Sequence, residues 1–430
     1  MPKAKSPQPA NQAVIAIVGG GAAGLISAYF AKLKHQEARV IIIEKNAYLG
    51  AKVIISGGGR CNVTTGILDV REVLKNYPRG SDFLRSAIQA FPPQAVIDWF
   101  ESQGVPLKTE ADLRVFPISN DGHDIVGALE SALRELGVET LVNNQIIDLE
   151  NQDQQFLLKF KNHPEVLADK IILTTGGNAY RHTGSTGDGY AFARKMGHSI
   201  TELAPSLSSL HTSEKWIHEL SGLSFKKAHL KFISADNSIS FDRTGPFLFT
   251  HRGLSGPAIF ALSGYAAFQK FTIENPAKIH IDFFPDQISE KLAAELDEKI
   301  QANPNKKINN LLALFFPHSM ADKIVSEILS PQFPEKNWSA ITATHLSKSM
   351  RQAIINSFKN MELHLIGRGA GDEFVTAGGV DLSEVDPRTM QSKIRPGLFF
   401  AGELLNIDGF TGGFNLQASW ATGALAGESI

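Results

Sequence analysis

Three glycines stand in the order Gly19-x-Gly21-x-x-Gly24, directly after the apolar run Val14-Ile15-Ala16-Ile17-Val18. This spacing suits a phosphate-binding turn. The first glycine permits a tight bend, the second lets the main chain approach a pyrophosphate, and the third lets a helix press on the strand. A helix is expected from Ala22, with Leu25, Ile26, Tyr29, Phe30 and Leu33 on one face. Its N-terminal N–H groups and positive dipole end would point at the phosphates. A second strand, Ala38 to Ile43, ends at Glu44, and a carboxylate there can take both hydroxyls of an adenosine ribose.

The other end of the chain repeats this logic. Leu398-Phe399-Phe400-Ala401 is a short apolar run closing on Gly402-Glu403, which puts an acid at the carboxyl end of a strand, where open α/β sheets bind ligands. Thr411-Gly412-Gly413 then opens an alanine-rich segment expected to be helical. N–H donors at that helix start would suit the negative charge of a reduced flavin. The two ends together read as one pocket for FAD. Gly176-Gly177, after the run Lys170 to Thr175, should return a third strand end to it. Ser56 to Asn62 offers consecutive glycine N–H groups, a nest suited to phosphate or flavin oxygens, with Arg60 able to add charge.

Other residues carry two readings each. Cys61 is the one cysteine of the chain and has no evident base partner, so a packing role is favoured over a catalytic thiol. Thr186 and Asp188 either cap the following helix or serve the cofactor. His251 and Arg252 precede Ser255-Gly256-Pro257; they could bind an anionic or carbonyl substrate, with His251 as acid or base. The favoured reading is that Ser255 and Pro257 form a helix cap and the two charged residues fix the loop.

Composition narrows the class. The chain has 430 residues, 20% of them charged, with a net charge of −2. That balance leaves no global footprint for nucleic acid or an anionic membrane. A single cysteine excludes an internal disulfide, a multi-cysteine zinc site and a Cys-x-x-Cys redox pair; no metal site is expected. No apolar run reaches membrane-spanning length. The first twelve residues lack the apolar core of a signal peptide and read as a disordered tail, so a cytoplasmic location is expected.

The elements that must position these residues follow from pattern. A helical stretch holds Phe83, Ile88, Ile97, Trp99 and Phe100; a small hairpin turns at Ala111-Asp112; and Asp121 to Leu136 is an amphipathic helix stopped by Gly137. From about Thr201 alternating segments such as His229–Ile233 and Lys278–Asp282 indicate antiparallel strands. The expected architecture is α/β, with an FAD-binding domain over 1–200 and 350–430. It is interrupted by a β-rich insert over 201–288 and a helical insert over 289–349. No second strand–GxGxxG–helix unit is found: Gly367, Gly369 and Gly371 have the wrong spacing, so a dedicated NAD(P)H domain is not expected.

In order along the chain stand Ser56-Gly57-Gly58-Gly59-Arg60-Cys61-Asn62, Thr183 to Gly189, Thr250-His251-Arg252-Gly253-Leu254-Ser255-Gly256-Pro257, and Ala401-Gly402-Glu403 through Asn415-Leu416-Gln417. In this the chain closely resembles the BaiN/YhiN-type flavoproteins, also described as NAD(P)/FAD-dependent or aminoacetone oxidase-like oxidoreductases. The match spans nearly the whole chain and is loose in the helical insert. The resemblance implies a glutathione reductase-like, Rossmann-type fold and noncovalent FAD. It places the cofactor against Gly19, Gly21, Ala22, Ala23, Gly24, Glu44, Lys45, Lys52, Gly58, Gly59, Arg60, Cys61 and Asn62. Thr175, Gly176, Gly177, Gly402, Glu403, Gly413, Phe414, Asn415, Leu416 and Gln417 complete that set.

The leading expectation is a flavin oxidoreductase acting on a small molecule, with electrons passing to or from NAD(P)H or O₂. The alternatives are an FAD-dependent protein acting on RNA, for which Lys215, Lys226, Lys227 and Lys231 are the nearest basic residues, and a flavin redox sensor without turnover. Substrate and oligomeric state are not legible.

Overall fold

A computed structural model describes residues 12–369, 371 and 373–430. The sequence reading of residues 1–12 as a tail falls, but for Gln12, outside them. The chain divides into two compact units: residues up to 206 with 373–430, and residues 207–372.

The first unit is built on a five-stranded parallel sheet in the order Leu398–Phe400, Lys170–Leu173, Val14–Val18, Arg39–Ile43, Glu139–Leu141. Four of these strands are almost wholly buried, which is why they read as unbroken apolar runs rather than alternating ones. The helix Ala22–Lys34 connects the first two strands, and the C-terminal helix Phe414–Ser429 packs against it. Glycines allow that contact: a Cβ on Gly423 would lie 2.6 Å from Ala23 O, and one on Gly427 2.4 Å from Ser27 O. The C-terminal helix is buried on nearly all sides, so its sequence shows no apolar stripe.

Smaller elements surround this sheet. Thr64–Thr65, Arg114–Pro117 and Leu107–Thr109 form one antiparallel sheet. Ile146–Gln152, Gln155–Phe160 and Val166–Ala168 form another. The single helical stretch read around Phe83–Phe100 is two helices, Ser81–Ala90 and Pro93–Ser102, because Pro92-Pro93 cannot continue the first. Asp121 caps Gly122–Glu135 through a 2.9 Å bond from His123 N, and Gly137 ends it at φ +73°.

The second unit is a closed six-stranded barrel. Its order is Leu210–Thr212, Gly253–Ser255, Ser240–Thr250, Ser224–Ile233, Ala277–Asp282, Met361–Arg368, and back to the first. Alternation sorts the faces, with Leu230 and Phe232 inward and Lys231 exposed. The helices Ser289–Ala302 and Lys348–Lys359 share the barrel's core: Leu292, Leu296 and Phe358 belong to one cluster with Phe247, Phe249 and Leu363.

Two boundaries differ from the sequence reading. The chain rejoins the first unit at 373 rather than near 350, because Met361–Arg368 must pair with Ala277–Asp282 and Leu210–Thr212 to close the barrel. The segment 289–349 is no separate subdomain, since its apolar faces complete the barrel core. No helix among the described residues is long and apolar enough to cross a membrane. Among the same residues no group of three or more His, Cys, Asp or Glu could hold a metal ion.

Candidate functional site

The three N-terminal glycines do three different things. Gly19 has φ +106°, and a Cβ there would lie 2.7 Å from Thr174 O. A Cβ on Gly24 would lie 1.9 Å from Gly19 O, so this glycine seats the helix on the turn. A Cβ on Gly21 meets nothing within 4 Å: open space lies over the helix start, where Gly21 itself is the N-cap and the first turn holds no acid. The N–H groups of Gly21, Ala22, Ala23 and Gly24 have no acceptor among the described residues, a row of donors at the positive end of the helix.

Glu44 stands beside this row. Gly20 N donates to its Oε2 and Asn46 N to its Oε1, each at 2.8 Å. Both carboxylate oxygens are thus fixed by main chain, and each keeps a lone pair for a hydroxyl. Lys45 is engaged elsewhere: its Nζ reaches Thr186 Oγ1 at 2.5 Å and Asp188 Oδ2 at 2.7 Å. Asp188 is the first-turn acid of Asp188–Lys195, whose N-cap is Gly187, so Thr186 does not cap this helix.

At the opposite strand end, Glu403 lies in the turn Gly402–Leu404. Its Oε2 pairs with Lys52 Nζ at 2.6 Å, and its Oε1 accepts from Thr376 N at 2.8 Å. A Cβ on Gly177 would lie 2.8 Å from Glu403 Oε1, so this glycine is required for close approach, after Gly176 at φ +73°. The Oγ1 of Thr175 is buried without a partner. Lys52, Thr175, Gly176, Gly177, Gly402 and Glu403 are therefore brought together as the sequence grouped them.

The Ser56–Gly59 turn runs through left-handed backbone at Gly57, Gly58 and Gly59, with open space beside Gly58 and Gly59. Arg60 does not lend its charge to this turn. It pairs with Glu110 at 2.8 Å and lies 3.7 Å from the centroid of the Phe116 ring. Cys61 is fully buried at φ +56°, and burial pushes its thiol up to about 12. A thiol so held is protonated and shielded at neutral pH. Native protein at pH 8 is expected to resist iodoacetamide for hours while urea-unfolded protein takes one equivalent; rapid native labelling, read by mass, would contradict that placement.

The C-terminal helix start differs in detail from expectation. Gly413 N donates at 2.8 Å to the Asn62 amide oxygen, whose nitrogen donates to Thr64 O and Val115 O. A Cβ on Gly413 would lie 2.2 Å from Thr64 O. The side chains of this stretch also turn inward. Gln417, fully buried, donates to Phe91 O at 2.8 Å and accepts from Thr64 Oγ1 at 2.5 Å. Asn415 bonds Gly409 N and O at 2.8 and 2.7 Å, and Phe414 O accepts from Tyr77 at 2.7 Å. What the helix offers a ligand is main chain: the N–H groups of Phe414, Asn415 and Leu416 have no acceptor among the described residues.

Sequence reasoning missed the clamp beneath this loop. Arg79 donates through Nε and Nη2 to both oxygens of Asp408, which also accepts from Ser206 Oγ at 2.7 Å. The Asp408 side chain is wholly buried, and Arg79 is 15% exposed. Asp408 is the one acid between Glu403 and Gly413, a local signal; Arg79 lies 329 residues away and gives none.

In the second unit, His251 and Arg252 occupy the exposed turn between Ser240–Thr250 and Gly253–Ser255. The turn's main chain is pinned by Thr212 N on Arg252 O at 3.0 Å, and by Gly253, whose Cβ would lie 2.1 Å from Leu210 O. The helix Pro257–Tyr265 begins with Pro at its first turn, but its N-cap is Gly256; Ser255 does not cap it.

Two helix starts with free N–H groups, an acid fixed at each of two strand ends, an orphaned buried hydroxyl and open space over Gly21 fit a dinucleotide such as FAD. The sequence profile of the HI0933-like protein Rossmann domain matches residues 13–429. A 3-dehydro-bile acid delta(4,6)-reductase of Clostridium scindens is 28% identical over 96% of this chain and 98% of its own. A ribosomal RNA dihydrouridine synthase of Escherichia coli is 28% identical over 94% and 95%. One of the same description from Haemophilus influenzae is 26% identical over 96% and 97%. Among solved structures, the open conformation of a flavocytochrome c3 fumarate reductase aligns with 98% of this chain and 78% of its own, at 18% identity and a TM-score of 0.48. The chain belongs to the HI0933-like Rossmann family, the BaiN/YhiN type, an enzyme family with the fold of FAD-dependent oxidoreductases.

Proposed function

We propose that this chain is an FAD-dependent reductase that saturates a carbon–carbon double bond conjugated with a carbonyl in a small organic molecule. The observation that carries the cofactor is Glu44, held by Gly20 N and Asn46 N beside the open Gly21 helix start. FAD bound there supplies hydride transfer at flavin N5. Gly21 to Gly24 would hold the diphosphate, Glu44 the ribose hydroxyls, and Lys52–Glu403 with Gly177 the middle of the cofactor. The N–H groups of Phe414 to Leu416 are donors for the charge of a reduced flavin.

The type of reaction is supported by the relatives' descriptions. A delta(4,6)-reduction of a 3-dehydro bile acid and the conversion of uridine to dihydrouridine both add two hydrogens across a double bond conjugated with a carbonyl. Such an addition needs a proton beside the hydride. NAD(P)H is the proposed electron donor, reaching the flavin without a domain of its own. Of the wrongly spaced glycines after Leu363–Ile366, Gly367 lies on an antiparallel barrel strand and Gly369 and Gly371 follow its end.

A second reading takes the double bond to be that of uridine in RNA, as two relatives' names suggest. Of the four lysines nearest to a basic patch, Lys227 pairs with Asp286, and Lys226 and Lys231 stand exposed on the same strand.

Anaerobic stopped-flow absorbance decides. Bleaching of the flavin band by NADPH or NADH, followed by recovery on adding a conjugated enone, is the expected result. Recovery with unmodified ribosomal RNA, together with dihydrouridine in its digest, would establish the second reading instead. Bleaching only by a reduced substrate, with recovery by O₂, would mean an oxidase. A colourless protein that binds no added FAD would overturn both readings.

A further inference from the structure

Arg368 ends the barrel-closing strand Met361–Arg368 in the second unit. Its Nη2 donates to Ala266 O and, at 2.9 Å, to Gln269 O, and its guanidinium carbon lies 4.5 Å from the centroid of the Phe271 ring. Ala266 closes the helix Pro257–Tyr265, so these carbonyls carry the negative end of a helix dipole. That accounts for Nη2 alone. The Nε is buried with no partner, and among the described residues no carboxylate acts on the guanidinium. Burial without an anion pushes its pKa down to about 10, which still leaves it charged at neutral pH. A largely buried cation is normally paired, and a ring face replaces little of a counter-charge.

A second orphan lies at the same end of the barrel. Ser208 is completely buried and its Oγ has no partner. Its N donates to Ser263 Oγ at 2.9 Å, and Ser263 Oγ donates in turn to Phe260 O at 2.8 Å, so only the Ser208 hydroxyl is unused. The register brings the two orphans together. Arg368 is paired with Leu210, and Gly369 N donates to Ser209 O at 3.1 Å, so Ser208 follows on the strand edge beside which Arg368 leaves. Ser208 touches the helix at Ser263 and Arg368 touches it at Ala266, three residues on.

We propose that Arg368 and Ser208 form the polar wall of an anion site at this end of the barrel, which takes the carboxylate or phosphate group of a small organic ligand. The guanidinium supplies the charge and the Nε–H, and the serine hydroxyl donates a second bond. The site belongs to the second unit and needs no flavin, so it stands or falls apart from the reaction proposed above.

The test is thermal unfolding of the full-length, FAD-loaded protein in phosphate, in acetate and in chloride at matched ionic strength. Unfolding temperature should rise saturably with an oxyanion over the chloride control, because a ligand held only by folded protein stabilises it by mass action. A rise with phosphate alone assigns a phosphate group; a rise with acetate too assigns a carboxylate. R368Q should start from a lower temperature, having lost its helix contact, and show no oxyanion response. S208A should start close to the parent and respond several-fold more weakly. No response in the parent protein, or equal responses in the parent and both variants, would overturn the site and leave Arg368 a helix clamp only.

Discussion

Gly21→Val should yield a folded, colourless protein. The main chain at Gly21 is extended, at φ −82° and ψ −169°, which any L-residue adopts, and a Cβ there meets nothing within 4 Å. The fold has no reason to reject valine. The isopropyl group would occupy the space through which a diphosphate must approach the free N–H groups, so FAD affinity should fall about 100-fold or more, some 2.7 kcal/mol. Gly24→Ala should fail in the opposite way. Its Cβ would lie 1.9 Å from Gly19 O and 2.7 Å from Thr174 Oγ1. That carbonyl cannot retreat freely, because Thr174 Oγ1 donates to it at 2.8 Å. One methyl group should therefore lower stability by about 1–3 kcal/mol, the usual range for overpacking. Flavin absorbance in titrations and circular dichroism melts separate the two. A Gly21→Val protein that stays yellow with unchanged affinity would show that the cofactor does not cross the glycine turn.

The contrast between these glycines also shows what a sequence reveals. G-x-G-x-x-G after a buried strand encodes a local geometry, and local geometry is legible: Gly19 makes the tight turn and Gly24 seats the helix as the spacing implies, while Gly21 leaves open space over the helix start. The parallel strands were legible for a related reason, since burial on both faces leaves Val14–Val18 and Lys170–Leu173 as apolar runs. The barrel was legible only as alternating segments. Its closure depends on Met361–Arg368 pairing with Leu210–Thr212, about 150 residues earlier in the chain, and no local pattern encodes a partner so distant. The same limit applies inside the site. Arg60 as a charge near the glycine nest was a fair reading of its position; Glu110 and Phe116, which hold it, lie on a different element. Asn62 and Gly413 were both assigned to the cofactor, yet each satisfies the other. Where a polar group is already paired within the protein is a tertiary fact.

The Arg79–Asp408 clamp, invisible to that reading, should have one of the largest effects on stability. Arg79→Met leaves a carboxylate wholly buried with only Ser206 and no counter-charge, and breaking such a pair costs about 3–5 kcal/mol. The loss should depend on pH in a fixed sense. Burial already pushes the Asp408 carboxyl above the ordinary range, against the pull of Arg79; without Arg79 it should rise further. A group whose pKa is raised on folding favours the folded state below its unfolded pKa, and that contribution is lost as pH climbs through the folded value. The gap in unfolding temperature between parent and Arg79→Met should therefore be small near pH 4 and widen toward pH 7. The double variant R79M/D408L should recover most of the loss at neutral pH, because removing both charges leaves nothing unpaired. The clamp also holds the 406–413 loop that leads to the free N–H groups of Phe414 to Leu416. The double variant should then regain stability but bind FAD more weakly than the parent, since methionine and leucine can fill the space without fixing the loop's position. Equal unfolding temperatures for Arg79→Met and the parent across pH 4–8 would mean that solvent reaches Asp408 and that the pair is not a buried one.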